Sequence, residues 1–299
     1  MTTSRKVVQT VLAVETEEGA GALVRRSIGS AQLRNVTPFL MLDHFHVSKG
    51  AGFPDHPHRG QATVTYMLEG SSNHEDSAGH KGTIMTGGVQ WMCAGKGIIH
   101  AEMPVQGPGI PEPRGLQLWV DLPKQYKMVD PSYQELSPEG VPEAFPEGED
   151  GPVKIRVISG KSHGVESPVR PLGGCWYFHV IFKKPGSIFQ EIPEGWTTFL
   201  YGWSGKLRVG SEEKPHQPFN TLVLSAASGE TGVQLTATEE GTEFVLASAA
   251  AEPLDQPVVQ YGPFVMTSRE EIHKTLIDYQ FAKNGFEKAH TWKSEIGGR

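Results

Sequence analysis

Two short ligand sets carry the chemistry available to this chain: His56-Pro57-His58 and, later, His100-Ala101-Glu102. Within each set the chemically active side chains are two residues apart. Successive side chains of a β-strand point to opposite faces, so residues at i and i+2 share one face. Two such strands side by side aim three imidazoles and one carboxylate at a common point. Neutral imidazole nitrogens with a carboxylate oxygen suit a first-row transition metal. Four ligands from one side of an octahedron leave two neighbouring positions open, and an open position separates a catalytic site from a structural one. His56, His58, His100 and Glu102 are therefore the expected metal ligands, and Glu102, if it loosens from the metal, is the expected general base.

The elements that must position these residues read as strands. Val64, Tyr66 and Leu68 alternate with Thr63, Thr65 and Met67, and Leu116, Leu118 and Val120 alternate with Gln117, Trp119 and Asp121. Such period-two runs predict half-buried strands. Pro57 between the two histidines fits an edge strand, a strand start or a bulge. From Asp130 to Pro152 the chain turns rich in proline and acidic residues and loses periodicity, which predicts a linker or long surface loop. Beyond it Val153, Ile155 and Val157 alternate, as do Trp176, Phe178, Val180 and Phe182. Thr197 to Val209 predicts a hairpin turning at Trp203-Ser204-Gly205-Lys206. Near the end, Ser268 and Glu271 form a capping-box signal. Ile272, Leu276 and Tyr279 follow at helical spacing, and Asn284-Gly285 is a stop signal.

The fold class expected is all-β: two tandem antiparallel β-barrels with a short C-terminal helix. The boundaries expected are 1–135 for a metal-binding barrel, 136–152 for an acidic, Pro-rich linker, and 153–299 for a second barrel without metal plus the helix. With 299 residues, 35 Gly and 22 Pro, the chain is long enough for two turn-rich domains. A net charge of −7 and the absence of a basic stripe argue against direct nucleic-acid binding. Two cysteines, Cys93 and Cys175, imply no disulfide framework and point to a reducing compartment. Nothing reads as a signal peptide or a membrane span, so a cytoplasmic or nuclear protein, not secreted, is expected. No coiled-coil pattern appears, and a monomer is the expectation.

Longer segments resemble the pirin family of bicupins. They are Phe53-Pro54-Asp55-His56-Pro57-His58-Arg59-Gly60, Gln90-Trp91-Met92, Gly95-Lys96-Gly97-Ile98-Ile99-His100-Ala101-Glu102-Met103-Pro104 and Gly115-Leu116-Gln117-Leu118-Trp119-Val120. Near the C-terminus, Gly262-Pro263-Phe264-Val265-Met266 and Ala282-Lys283-Asn284-Gly285-Phe286 add to the likeness. The wider cupin pattern places a Glu three to five residues after the second histidine. Here Gln61, Ala62 and Thr63 stand there, which leaves the carboxylate to Glu102. Two departures from the family are visible: Ala62 where many members carry Glu, and Gly87-Gly88-Val89 where many read Pro-Gly-Asp.

The resemblance implies one iron, Fe(II) or Fe(III), per chain in the N-terminal cupin, with other divalent transition metals as alternatives. It implies a quercetin 2,3-dioxygenase type of activity on a flavonol-like small molecule and O2, with ring cleavage and release of CO. The alternative it implies is a redox-sensitive, iron-containing nuclear transcriptional co-regulator that binds a transcription-factor partner. That second role calls for an exposed charged patch near the metal, for which Arg59, Lys81 and Lys96 are candidates. Other groups weigh less. His74-Glu75-Asp76 and His80 read as a solvated turn, with the lining of the pocket mouth as the alternative, Asp43-His44-Phe45-His46 as strand and loop, and His163, His179 and His216 as isolated. Of Trp91 and Met92, which alternate in direction, one is expected to face the metal pocket and the other the core.

Overall fold

The computed structural model describes residues 2–249 and 254–297. Strands dominate the described residues, and the sole α-helix among them is α1 (Arg269–Gln280), so the fold is mostly β with a short C-terminal helix. None of the described helices is long and apolar enough to cross a membrane. The contacts divide the chain into two units that are discontinuous in sequence: Val14–Arg26, Phe39–Gly140 and Leu254–Arg299 form one, and Met1–Ala13, Ser27–Pro38 and Val141–Pro253 the other. This corrects the contiguous boundaries at 135 and 153. The first strand, β1 (Val7–Leu12), belongs with the later half because it pairs with Asn220–Leu224, and α1 belongs with the earlier half. The stretch 136–152 is not a bare linker either, since Glu143–Ala144 pairs with Val153–Ser159.

The unit that carries the ligand sets contains β2 (Val14–Glu18), β3 (Ala22–Arg26), β4 (Phe39–His46), β5 (Phe53–His58), β6 (Gln61–Glu69), β7 (Ser71–Asp76), β8 (Lys81–Met85), β9 (Val89–Cys93), β10 (Ile98–Pro104), β11 (Arg114–Asp121) and β12 (Ser132–Leu136). Seven of these form a sheet in the order β12-β9-β6-β11-β4-β3-β2, and four form a second sheet in the order β5-β10-β7-β8. The two ladders face one another as a cupin β-sandwich, in keeping with the all-β class expected. β5 lies at a sheet edge, where Pro57 costs no ladder hydrogen bond.

The alternation in β6 and β11 predicts one buried and one solvated face, and here the structure differs. Val64, Tyr66, Leu116 and Leu118 are buried, but so are Thr63 and Thr65, each 3% exposed. The polar face of this sheet looks inward at the other sheet, because a cupin houses its chemistry between the sheets. Where the chain must pass from β5 to β6, Gly60 adopts φ 78° and an added Cβ would lie 2.0 Å from the Val265 carbonyl oxygen. Glycine alone fits that turn.

In the second unit a seven-stranded sheet faces a three-stranded one over Phe178, Phe182, Leu200, Phe244 and Leu246. The hairpin expected across 197–209 is not formed. Thr197–Ser204 lies in the larger sheet and Leu207–Val209 in the smaller, where it pairs with Gly232–Ala237. Gly205, at φ 68°, turns the chain from one sheet to the other. The helix begins as its sequence predicts: the Ser268 side chain accepts a hydrogen bond from the Glu271 amide at 3.1 Å. The Glu271 carboxylate accepts from the amide and hydroxyl of Thr267, one residue earlier than a standard capping box.

Candidate metal centre

β5 and β10 are antiparallel neighbours, with His56 opposite His100 and His58 opposite Ile98. That register brings His56, His58 and His100 together, with one ring nitrogen of each inside a 4.8 Å group. Ring centroids are separated by 4.9 Å for His56–His58, 4.4 Å for His56–His100 and 5.0 Å for His58–His100. His58 and His100 are buried, at 1% and 2% exposure, and His56 is partly exposed. Burial first, and the neighbouring His56 second, hold the His58 and His100 imidazoles well below the ordinary histidine range, which keeps them neutral. Neutral imidazoles are the form that offers a lone pair to a metal.

The hydrogen bonds assign the protons. His56 Nδ1 lies 2.8 Å from the Pro54 carbonyl, which can only accept, so His56 carries its proton on Nδ1 and presents a lone pair on Nε2. His100 Nε2 lies 3.0 Å from that atom and donates to it when both rings are neutral. Three convergent nitrogens, one already preset, fit a transition-metal ion that prefers imidazole ligands.

Glu102 lies outside the group of three. The β5–β10 register slips between His100 and Glu102, so Glu102 pairs with Phe53. Its carboxylate, 6% exposed, accepts from the Thr65 hydroxyl at 2.9 Å and from Gln117 Nε2 at 3.1 Å. Both partners come from the facing sheet, where Thr65 and Gln117 sit opposite one another on β6 and β11. One step along the same ladder, Trp119 presents its ring at 89° to His58, with centroids 5.1 Å apart. Met92 is opposite Thr63 and Tyr133 and so faces the site side, while Trp91 is on the other face, as the alternation of the pair predicts.

Sequence reasoning missed Thr65, Gln117 and Trp119 because they lie on the strand faces expected to be solvated. It also misplaced His74 and Asp76. They are buried on β7, opposite Glu102 and His100 respectively, and directly opposed residues of an antiparallel pair share a face. Asp76 accepts from the amides of Ala78, Gly79 and His80 and pairs with His80 Nδ1 at 2.9 Å. His74 stacks on Tyr133 at 6.4 Å, and its Nε2 lies 3.2 Å from the exposed Glu135 carboxylate, off the axis a hydrogen bond needs. Burial, then Asp76, push the Tyr133 hydroxyl up. The signal was present as alternation, since His74 and Asp76 are themselves two residues apart.

Other candidates stand apart from the centre. His46 pairs with Glu112 at 2.8 Å, and burial lowers His44 to about 4. His179 pairs with Glu243, His216 with Glu212, and His163 contacts Ser162. Arg59 departs most from expectation. It is 1% exposed, donates to Asp278 at 2.9 Å and to Thr275 at 3.1 Å on α1, and lies 4.5 Å from the centre of the Phe286 ring. It therefore anchors the helix to the strand that carries His58 and takes no part in a surface patch.

Comparison with known proteins agrees with this geometry. The family model for pirin matches residues 21–120, and that for the pirin C-terminal cupin domain matches residues 177–285. A pirin-like protein of Solanum lycopersicum is 47% identical over 292 residues, covering 97% of each chain. A solved quercetin 2,3-dioxygenase from Acinetobacter baumannii is 29% identical, with a TM-score of 0.82, covering 95% of this chain and 99% of that one. The bacterial pirin YhhW from Escherichia coli, solved in complex with nickel(II), shares the fold at 17% identity and a TM-score of 0.61, covering 81% of this chain and 98% of that one. Matched in both halves and over nearly its full length, with three histidines gathered between the sheets of its N-terminal cupin, the chain belongs to the pirin family.

Proposed function

We propose that this protein is a metal-dependent dioxygenase of flavonols, with one iron per chain held by His56, His58, His100 and Glu102. The observation that carries the reading is the convergence of three imidazoles, two of them buried and held neutral, beside a buried carboxylate in a cupin interior. Likeness over most of the chain to a quercetin 2,3-dioxygenase supplies the substrate class.

A bound Fe(II) supplies a Lewis-acid centre that favours the anionic form of a flavonol 3-hydroxyl. The remaining work belongs to the chain. Glu102 takes the hydroxyl proton as general base, and Thr65 and Gln117 each hold one of its oxygens so that the carboxylate stays aimed. Trp119 and Met92 give the facing sheet an aromatic and soft apolar wall against which a planar ring system packs. His74 and Asp76 extend the wall on the other sheet beyond Glu102 and His100.

The test is loss of quercetin absorbance in air with Fe(II)-loaded protein, run beside His56→Ala. Metal-dependent loss that disappears in the variant is expected. Equal rates in both samples, with iron bound to the wild type, would sink the reading. The co-regulator alternative has less to rest on. With Arg59 buried against Asp278, the basic patch it requires is reduced to Lys81 and to Lys96, the latter in a surface pair with Asp130.

A further inference from the structure

The sheet that carries His56, His58 and His100 has a second face. Side chains alternate along a strand, so Asp55 and Pro57 on β5, and Ile99 and Ala101 on β10, point away from the three imidazoles. Pro57 is paired with Ile99 and Ala101 with Glu75 of β7, and directly opposed residues share a face. Residues 288–297, which follow α1 and its closing turn, are held on that face. Ile99 packs in one apolar cluster with Phe264 and Phe286, and Trp292 is seated against it. Lys288 Nζ donates to the Ser77 carbonyl at 2.7 Å, one residue past the end of β7. The Glu295 amide donates to the Glu75 carboxylate at 2.6 Å. Beside it the Ser294 hydroxyl donates to Asp55 Oδ1 at 2.5 Å, and the Ser294 amide to Asp55 Oδ2 at 3.2 Å. The Gly297 amide closes on the Ser294 hydroxyl at 2.7 Å. In the sheet order β5-β10-β7-β8, the tail thus reaches from β7 across β10 to β5.

β5 has little else to fix it. It is an edge strand whose ladder partner is β10, and that ladder loses register between His100 and Glu102. Metal–ligand distances must nevertheless be met to about 0.2 Å. We infer that Asp55 and Ser294 are positioning residues for the metal centre. Seated on the back of the sheet, residues 288–297 clasp β5 to β10 and β7, and so hold His56 and His58 at the spacing from His100 that an ion requires. The coupling runs both ways. An ion that binds the clasped arrangement more tightly stabilises the seated tail by the same factor by which the seated tail tightens the ion.

This inference rests on the reading that the three histidines hold a metal. Its test uses full-length protein with Zn(II) as the probe. Zn(II) affinity is measured by chelator competition for wild type, Ser294→Ala, Ser294→Glu and Ser225→Ala. Amide hydrogen exchange is followed at Ser294 and Glu295 with and without Zn(II). Ser294→Ala removes the hydroxyl that bonds Asp55, and Ser294→Glu sets a second carboxylate against it. Both are expected to bind Zn(II) more weakly than wild type, Ser294→Glu by about fivefold or more. Ser225→Ala loses side-chain hydrogen bonds to Glu230 and the Lys6 amide in the other unit and is expected to keep wild-type affinity. An equal loss in Ser225→Ala and Ser294→Glu would assign the effect to general destabilisation and overturn the clasp. In wild type, saturating Zn(II) is expected to slow exchange at Ser294 and Glu295 by a similar factor. Exchange unchanged by Zn(II), or wild-type affinity in Ser294→Glu, overturns the clasp and leaves the metal centre standing. A wild type that binds no Zn(II) overturns the metal reading and this inference together. The wild-type exchange rates decide the matter even where a variant folds poorly.

Discussion

At the scale of single residues, burial does most of the chemical work. His58 and His100 are neutral because the sheets around them exclude water, so their lone pairs are available without competition from protons in the ordinary range. Removing one imidazole takes a nitrogen ligand from the proposed set and weakens its hold on an ion. His100→Ala is therefore expected to lose Zn(II) and Fe(II) binding at micromolar protein while keeping the far-ultraviolet circular dichroism of wild type. Retained stoichiometric metal in that variant, measured by atomic absorption after desalting, would exclude His100 from the ligand set. Thr65 and Gln117 act on Glu102, outside the group of three. Gln117→Leu should lower the rate constant of quercetin loss with little change in metal content, because it releases one carboxylate oxygen without touching an imidazole.

Whole elements decide where these residues meet. The register of β5 against β10 sets His56 against His100, and the Gly60 turn sets Gln61 behind His58. The C-terminal helix holds this turn through the ion pair between Arg59 and Asp278, both 1% exposed at the side chain. Truncating one partner of a buried pair strands the other charge, at a cost of about 3–5 kcal/mol. Asp278→Ala is expected to show that loss in urea unfolding, and an effect under 1 kcal/mol would mean that the hydrogen bonds the Arg59 guanidinium donates to the Lys96 and Asn284 carbonyls suffice. Ser268→Ala, which removes only the helix cap, should cost about 1 kcal/mol.

Over the molecule as a whole, histidines that refuse protons set the acid response. His44 titrates at about 4 in the folded protein, lowered by burial and then by Arg25, against roughly 6.5 in an unfolded chain. Between those values the unfolded chain binds the proton and the folded one does not. The stability His44 contributes is whole above about pH 6.5 and is lost as pH falls toward 4. His179, lowered by burial, acts in the same direction. Unfolding midpoints in urea should fall from pH 7.5 to pH 5, and His44→Gln should flatten that slope; an unchanged slope would assign the acid response to other groups. Metal works the other way: an ion that binds only the folded chain adds about 4 kcal/mol at a thousandfold excess over its Kd, so a chelator should lower Tm.

Local chemistry in the sequence was enough for the histidine pairs, the all-β class, the helix with its Ser268 cap and the family itself. Each of these depends on neighbours within a few residues: i, i+2 spacing on a strand, i, i+3 at a helix start, uninterrupted motif segments. What lay between the sheets depended on contacts far apart along the chain. Thr65, Gln117 and Trp119 have the polar–apolar alternation of a surface strand, and only the facing sheet turns that polar face into an interior. His74 and Asp76 have the composition of a turn, and only pairing with β10 buries them. Arg59 reads as a surface charge until α1, more than two hundred residues later, closes over it. The domain boundaries failed for the same reason, since β1 and α1 each pair with the half of the chain distant from them in sequence. Residue types and spacing determined which groups could bind a metal. The tertiary structure decided which groups share the enclosed space with them, because burial and facing are properties of two sheets together and of neither alone.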